Sequence, residues 1–363
     1  VANPPYMGNK NMNDVLKEFA KNKYPDSKSD LFAMFIERNL GYAIQKGFVG
    51  MITMQSWMFL SSFEKLRDKL LGSNAIVSMA HLGARAFDTI SGEVVSTTSF
   101  VLENEKKPDL KGIYLRLVDE KNEKAKIQAF KKNIPTRERP NPEKCFRASA
   151  SDFKKIPGSP IAYWVSERVR QIFKESLTLS PVCKPTQGLA TGDNERFVRI
   201  WHEVCLNNIG FSFPNREQAE RSRLKWFPYN KGGDFRRWYG NQEFLVNWEN
   251  DGFKIKHFSN EFGRIRSRPQ NLGTYFKESI SWSKISSGFP AFRYFPTGFI
   301  YDVAGTSIFC DDTSLAKRIL GVTNSPVTKK FLEILSPTLN FEVGHIALLP
   351  IISGAGSTDI TDK

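Results

Sequence analysis

A switch of apolar period along the first hundred residues limits what this chain can fold into. Leu31, Phe32, Phe35, Ile36, Leu40, Ala43 and Ile44 recur at helical spacing. Ser27 and Ser29-Asp30 supply capping chemistry just before them. Gly47 breaks that helix, and Phe48 to Met54 reads as a buried strand. A second helix carries Phe63, Leu66 and Leu70 on one face. Ala75 to Leu82 and Val94 to Leu102 read as further strands, the second rich in β-branched residues. Helix, strand, helix, strand, strand is the latter half of an α/β sheet domain.

Beyond Leu102 the texture changes. Lys alternates with Glu and Asp from Glu103 to Lys132, with one more strand expected at Ile113 to Val118. The Pro-rich stretch Pro135 to Pro142 reads as a domain junction. Short strands rich in Gly, Trp and Phe come next, then one helix from about Ala316 to Leu335 and an apolar segment from Val343 to Ile352. The expected architecture is therefore α/β followed by α+β: residues 1–118, a connector at 119–160, a mixed, β-rich domain at 161–352 and a polar tail at 353–363.

Composition narrows the class. With 52 Lys+Arg against 38 Asp+Glu, the 363 residues carry a net charge of +14. A basic globular chain of this size calls for a polyanionic partner, most simply nucleic acid. Apolar residues at 40% exclude a disordered or collagen-like chain. The mean hydropathy of −0.38, with no apolar run approaching the ~18 residues of a membrane span, leaves no membrane partner to expect. Cys145, Cys183, Cys205 and Cys310 form no paired motif, and His81, His202, His257 and His345 are scattered. Neither a metal site nor a disulfide framework is expected. With no signal peptide at its start, the chain is expected in a reducing cytoplasm. It opens Val1-Ala2-Asn3 without an initiator Met, which reads as the middle of a larger protein.

The tetrapeptide Asn3-Pro4-Pro5-Tyr6 carries chemistry. The lone pair of an exocyclic amine is delocalised into its heterocycle and attacks a methyl sulfonium poorly. An Asn side-chain oxygen and a neighbouring backbone carbonyl can each accept one N–H, drawing the nitrogen toward tetrahedral geometry. Pro4 and Pro5 have fixed φ and lack N–H groups, so they hold those carbonyls in one direction. Tyr6 offers a flat face for a base taken out of a duplex. A simple turn would use the same residues.

Together with the segments after it, the tetrapeptide resembles the γ-group of DNA adenine N6-methyltransferases, and in particular the large bacterial enzymes of the BREX phage-defence system. The resemblance spans nearly the whole chain. Met7-Gly8-Asn9-Lys10-Asn11 succeeds the loop, Asp30-Leu31-Phe32-Ala33-Met34-Phe35 opens the helix, Gly47 to Trp57 forms the Gly-strand-Trp segment, and Ala86-Phe87-Asp88-Thr89 precedes a final hairpin. It implies the latter half of a Rossmann-like methyltransferase domain at 1–118 and a target-recognition domain at 161–352. By the same resemblance, Asn3 and the Pro4 carbonyl would bind the adenine amino group. Tyr6 and Phe87 would enclose the flipped base, and Phe35 would flank the adenine ring of S-adenosylmethionine. Core packing beside Ile36 and Leu40 would explain Phe35 equally. Double-stranded DNA is the implied partner, with other phage-defence proteins as further candidates.

The resemblance also implies a Gly-rich cofactor turn before Asn3, and no such strand-turn-helix occurs later in the chain. The expectation is the base-side half of an active site that does not methylate alone. A fused restriction-modification enzyme, a DNA-binding module without catalysis and a protein-glutamine methyltransferase remain as alternatives.

In the second half, Pro185 to Phe197 resembles the Gly-rich opening of a TaqI-like target-recognition domain. Seven basic residues against three acidic ones lie between Arg216 and Gly240, interleaved with Trp226, Phe227, Tyr229, Phe235, Trp238 and Tyr239. Arg264-Ile265-Arg266-Ser267-Arg268 is the densest basic group further on. Fixed cations suit phosphates, and the Arg fork suits guanine edges. Arg236, Arg237, Arg264, Arg266, Arg268 and Lys284 are the expected DNA contacts. Asn340 and Phe341 are expected to fix packing.

Overall fold

The computed structural model describes residues 1–87, 95–286, 288–336 and 340–351. Two units form, Val1–Glu175 and Ser176–Lys363.

In the first, strands β1 (Phe48–Met54), β2 (Ala75–Gly83), β3 (Thr97–Glu103), β4 (Gly112–Arg116) and β5 (Cys145–Ala148) form one sheet in the order β1-β3-β2-β4-β5. β3 runs antiparallel to both β1 and β2, so those two point the same way. Helices α1 (Asp14–Lys23) and α2 (Leu31–Tyr42) precede β1, and α3 (Glu64–Ser73) connects it to β2. The apolar period explains the packing: Phe32, Ala33 and Ile36 of α2 and Leu66, Leu70 and Leu71 of α3 bury against Met51, Met79, Phe100 and Leu102 of the sheet. Of the candidate caps Ser27, Ser29 and Asp30, it is Asp30 that caps α2. The final strand begins at Thr97 where Val94 was expected, and Val94, Asp88 and Thr89 lie outside the described residues. The stretch 119–160, expected as a connector, holds α4 (Glu123–Asn133) and β5, which pairs with β4.

The second unit is β-rich, as its texture implied. Two four-stranded sheets form its body. One contains β8 (Val198–Ile200), β9 (Trp226–Asn230), β10 (Phe244–Asn247) and β13 (Ile300–Tyr301) in the order β13-β9-β10-β8. The other contains β7 (Lys184–Thr186), β11 (Ser279–Trp282), β12 (Phe292–Phe295) and β14 (Ser307–Phe309) in the order β12-β11-β14-β7. A small pair joins β6 (Leu177–Thr178) to β15 (Pro350–Ile351). Phe197, Phe227, Tyr229, Trp248, Tyr275 and Phe276 fill the core beside the first of these sheets.

Two expectations are corrected here. The helix expected from Ala316 to Leu335 is two, Thr313–Thr323 and Pro326–Leu335. Ser325 caps the second through the Thr328 N–H, and Pro326, lacking a donor, can start a helix but not continue one. Cys183 and Cys310 are disulfide-bonded, whereas no disulfide was expected. They are 127 residues apart and meet because they flank the paired strands β7 and β14. Among the described residues no helix is long and apolar enough to cross a membrane, and no cluster of three His, Cys, Asp or Glu could hold a metal ion.

Candidate functional site

Residue Ala2 adds to the free side of β1, running parallel to it: its N–H donates to Gly50 O at 2.9 Å and its carbonyl accepts the Ile52 N–H at 3.1 Å. Ala2, Met51, Phe100 and Met79 therefore lie in one row across the sheet. Asn3 to Tyr6 leave that row toward the carboxyl end of β1. Met54 and Gly83 both face Thr97, so β1 and β2 end level with each other. Phe87, just beyond Gly83, thus emerges at the same sheet edge as Tyr6. Three strand spacings of about 4.8 Å separate Ala2 from β2, roughly 14 Å in all. The carboxyl ends of strands are where open α/β sheets bind ligands.

Ala2 holds one end of the loop on β1, and Met7 holds the other. The Met7 N–H donates to Asp30 Oδ1 at 3.0 Å, the same oxygen that accepts the Phe32 N–H at 3.4 Å. The Leu31 N–H returns to Met7 O at 3.0 Å, and the Asn9 N–H donates to Ser29 O at 3.0 Å. Pro4 is buried, while the Asn3 side chain is exposed and Tyr6 is half-buried, its ring edge-on to Phe32 at 6.1 Å. Burial pushes the Asp30 carboxyl and the Tyr6 phenol above their usual pKa values. Phe35 does not pack in the core: it is 36% exposed on α2 while its neighbours Met34 and Ile36 are buried.

A buried polar trio beneath the same edge was not foreseen. His81 Nε2 lies 2.7 Å from Gln55 Oε1 and Nδ1 lies 2.9 Å from the Tyr163 hydroxyl. An amide oxygen only accepts, so Nε2 carries the proton and Nδ1 accepts from Tyr163. Burial, helped by the charges of Arg116 and Lys126, lowers the His81 pKa to about 3. The imidazole is neutral at pH 7 and ties the end of β1, through Gln55, to β2 across the intervening β3. Gln55 immediately after a strand and His81 late in the next were the only available signals.

In the second unit the expected cations sort by partner. Arg264, Arg266 and Arg268 are exposed. Arg266 and Arg196 both lie over the Phe258 ring, at 5.5 and 5.2 Å, so Arg196 joins this group although the sequence placed it in the Gly-rich opening. The two segments meet through Ala190 and Arg268, whose backbones exchange hydrogen bonds of 3.1 and 2.8 Å. Gly192, at φ +79°, and Gly188 sit where a Cβ would collide with the backbones of Arg266 and Tyr301. Those glycines allow chain to approach chain. Arg236 and Arg237 are exposed on the loop 231–243. Lys284 instead pairs with Glu342 at 3.0 Å, which neutralises its charge locally. Lys231 pairs with Asp302 at 3.2 Å, and Arg216 with Asp251. Arg293 is fully buried; Nη2 donates to Ser283 Oγ at 2.9 Å, while Nε and Nη1 have no partner among the described residues.

Residues 1–87 match the model of the Eco57I restriction-modification methylase family. More particularly, the chain is 44% identical over 353 residues to the adenine-specific methyltransferase PglX of Lacticaseibacillus casei (strain Zhang), covering 97% of this chain and 29% of that protein. It is 40% identical over 367 residues to the adenine-specific methyltransferase BrxX of Escherichia coli O9:H4 (strain HS), covering 100% and 28%. The resemblance seen in the motifs therefore holds along the whole chain, which spans less than a third of the length of either relative. Among solved structures, the Type IIL restriction-modification enzyme MmeI in complex with DNA shares the fold, with a TM-score of 0.54 at 13% identity over 92% of this chain and 43% of that one.

Asp30→Ala removes the acceptor for the Met7 and Phe32 N–H groups and should cost about 1–2 kcal/mol in urea unfolding, while Asp30→Asn, which keeps an acceptor oxygen, should cost under about 0.5 kcal/mol. For His81 the unfolded ring takes its proton near pH 6.5 and the folded ring only near 3. The unfolded state therefore binds more protons between those values, and stability must fall as pH drops through that window. At pH 5 the loss from this group should be about 2 kcal/mol relative to pH 7.5, and His81→Gln should flatten the profile by that amount.

Proposed function

We propose that this chain carries the target-base side of a site-specific DNA adenine N6-methyltransferase, the self-marking methylase of a BREX-type phage-defence system. The placement of Asn3-Pro4-Pro5-Tyr6 and Phe87 at one carboxyl edge of the sheet carries this reading, in a chain 44% identical to an adenine-specific methyltransferase. The first unit is then the latter half of a Rossmann-like catalytic domain and the second the target-recognition domain. Double-stranded DNA is the substrate, other phage-defence proteins are candidate partners, and the compartment is the cytoplasm.

In this reading the adenine leaves the helix and stacks on Tyr6, with Phe87 closing from the β2 side. The Asn3 side-chain oxygen and the Pro4 carbonyl accept the two N–H groups of the amine. Localising the lone pair on nitrogen in this way makes it the nucleophile, and the two acceptors are placed before the reaction rather than reorganised during it. The Asp30 carboxylate holds the loop through Met7, two elements removed from the chemistry. The residues present suit one end of S-adenosylmethionine: Phe35, exposed beside the fastened loop, would flank its adenine ring. That cofactor supplies the methyl group when bound.

In the full-length protein, Asn3→Ala should lower transfer of labelled methyl to DNA by at least about 10²-fold, the scale of losing one preorganised polar group in a transition state, with DNA affinity unchanged. Activity near that of wild type would remove Asn3 from the mechanism. Replacing Arg264, Arg266 and Arg268 by Ala should weaken DNA binding and reduce the slope of log K against log salt by up to about 2.7, at ~0.9 for each phosphate no longer neutralised. An unchanged slope would return the cluster to ordinary surface.

A further inference from the structure

The connection between β9 and β10 has a feature that duplex binding by cations does not explain. These strands are antiparallel neighbours, Phe244 facing Tyr229. A hairpin of that kind closes with roughly two to five residues, yet here the chain uses all of 231–243. Loops that long without secondary structure of their own are uncommon in a compact domain and are usually either functional or disordered linkers.

This loop is held rigidly at its base. Trp238 pairs with Arg293 of β12: its N–H donates to Phe292 O at 3.1 Å and its carbonyl accepts the Tyr294 N–H at 2.8 Å. The Ser283 hydroxyl donates to Gly233 O at 2.7 Å, and Asn241 Nδ2 to Asp234 O at 2.9 Å. Trp238 itself stands at φ +74°, a conformation that opposes its bulk and that the β12 hydrogen bonds impose.

With the backbone so pinned, the loop shows large rings to solvent. Phe235 is 61% exposed, Trp238 53% and Tyr239 59%. A cluster of three such rings is not the scattered apolar residue of an ordinary surface. The charge around them has one sign in excess. Arg236 and Arg237 lie between the rings in sequence, and Arg237 covers Phe235 at 5.5 Å and Phe289 at 5.7 Å. Beneath the loop lies the buried Arg293, whose side chain reaches the loop base through Ser283. Glu243 is the carboxylate whose field favours Arg293, and it also faces Arg236 at 3.8 Å. Flat faces beside fixed, incompletely compensated cations suit a partner that offers π-faces and phosphates together.

We propose that the loop 231–243 is a stacking wedge for DNA: Phe235, Trp238 and Tyr239 pack against base faces exposed where the duplex is opened, while Arg236 and Arg237 hold the adjoining phosphates. This deepens the DNA-methyltransferase reading and rests on it for the identity of the partner. Unstacking a base pair exposes apolar faces and leaves a gap, and rigid rings fill such a gap without losing side-chain freedom on binding.

The test separates stacking from charge. Fluorescence anisotropy would measure full-length protein against an intact duplex of about 30 base pairs, long enough to span a recognition site, and the same duplex with a one-nucleotide gap, at several salt concentrations. Wild type should prefer the gapped duplex by at least about tenfold, the scale of one stacked base. The variants Phe235→Ala/Trp238→Ala/Tyr239→Ala and Phe235→Leu/Trp238→Leu/Tyr239→Leu should both lose that preference with the salt slope unchanged; the Leu set keeps a branched apolar side chain at each position should the Ala set misfold. Arg236→Ala/Arg237→Ala should keep the preference and lower the slope by up to about 1.8. A folded aromatic variant with the wild-type preference, or wild-type binding that ignores the gap, would overturn the wedge and leave the rings to a protein partner. Failure of wild type to bind either duplex would sink the DNA reading itself.

Discussion

Insertion of β3, antiparallel, between β1 and β2 is the constraint on which the first unit depends. Its register brings Met54 and Gly83 level on either side of Thr97, so two strands that are not neighbours end at the same height. The Asn-Pro-Pro-Tyr loop and the Phe87 loop then share an edge although about eighty residues of chain separate them. A one-residue slip of β3 against either neighbour would turn its apolar residues Phe100 and Leu102 out of the core, so burial protects the register and the register places the loops. The trio Gln55, His81 and Tyr163 adds a directional lock to the same edge. Its neutral imidazole is satisfied on both nitrogens, which is how a buried polar group is tolerated there.

Polarity in the second unit follows a different logic. Much of its positive charge is spent on holding the fold: Arg216 and Lys256 both meet Asp251, Lys231 meets Asp302 and Lys284 meets Glu342. Of the cations expected at DNA, Arg236, Arg237, Arg264, Arg266 and Arg268 stay exposed, and Arg196 joins the last three. The net charge of +14 therefore does not by itself say which cations face a phosphate backbone. The glycines of the 188–192 turn serve the same end, because they let two backbone segments meet and so place Arg196 beside Arg266.

Local pattern was legible where the signal is local. The α2 period and its Asp30 cap, the Phe63-Leu66-Leu70 face of α3, the strand at Phe48–Met54 and the β-rich second half all come from spacing and residue type. The break at Asn324-Ser325-Pro326 is equally local, a cap followed by a proline, but the apolar residues on both sides continue one period and mask it. Other features were illegible for a physical reason. No spacing pairs Cys183 with Cys310, since their approach is set by β7 meeting β14. Nothing local marks Phe35 as exposed rather than core, because both faces of α2 carry large apolar residues.

By itself, then, the sequence determined the chemistry on offer: an Asn side chain and a proline-held carbonyl, flanking aromatic rings, and a surplus of arginine in the second half. Those are properties of side chains and of backbone dihedrals that proline restricts, and they need no partner to be read. Only the tertiary structure decided which groups act together. Strand register put Tyr6 and Phe87 at one edge, and the Met7–Asp30 hydrogen bond fastened the loop. Ion pairs joined Lys284 to Glu342 and Arg216 to Asp251, and backbone pairing with β12 fixed Trp238 within an otherwise irregular loop. Each joins segments far apart in the chain, and such pairings depend on the whole fold's burial and register rather than on any window of residues.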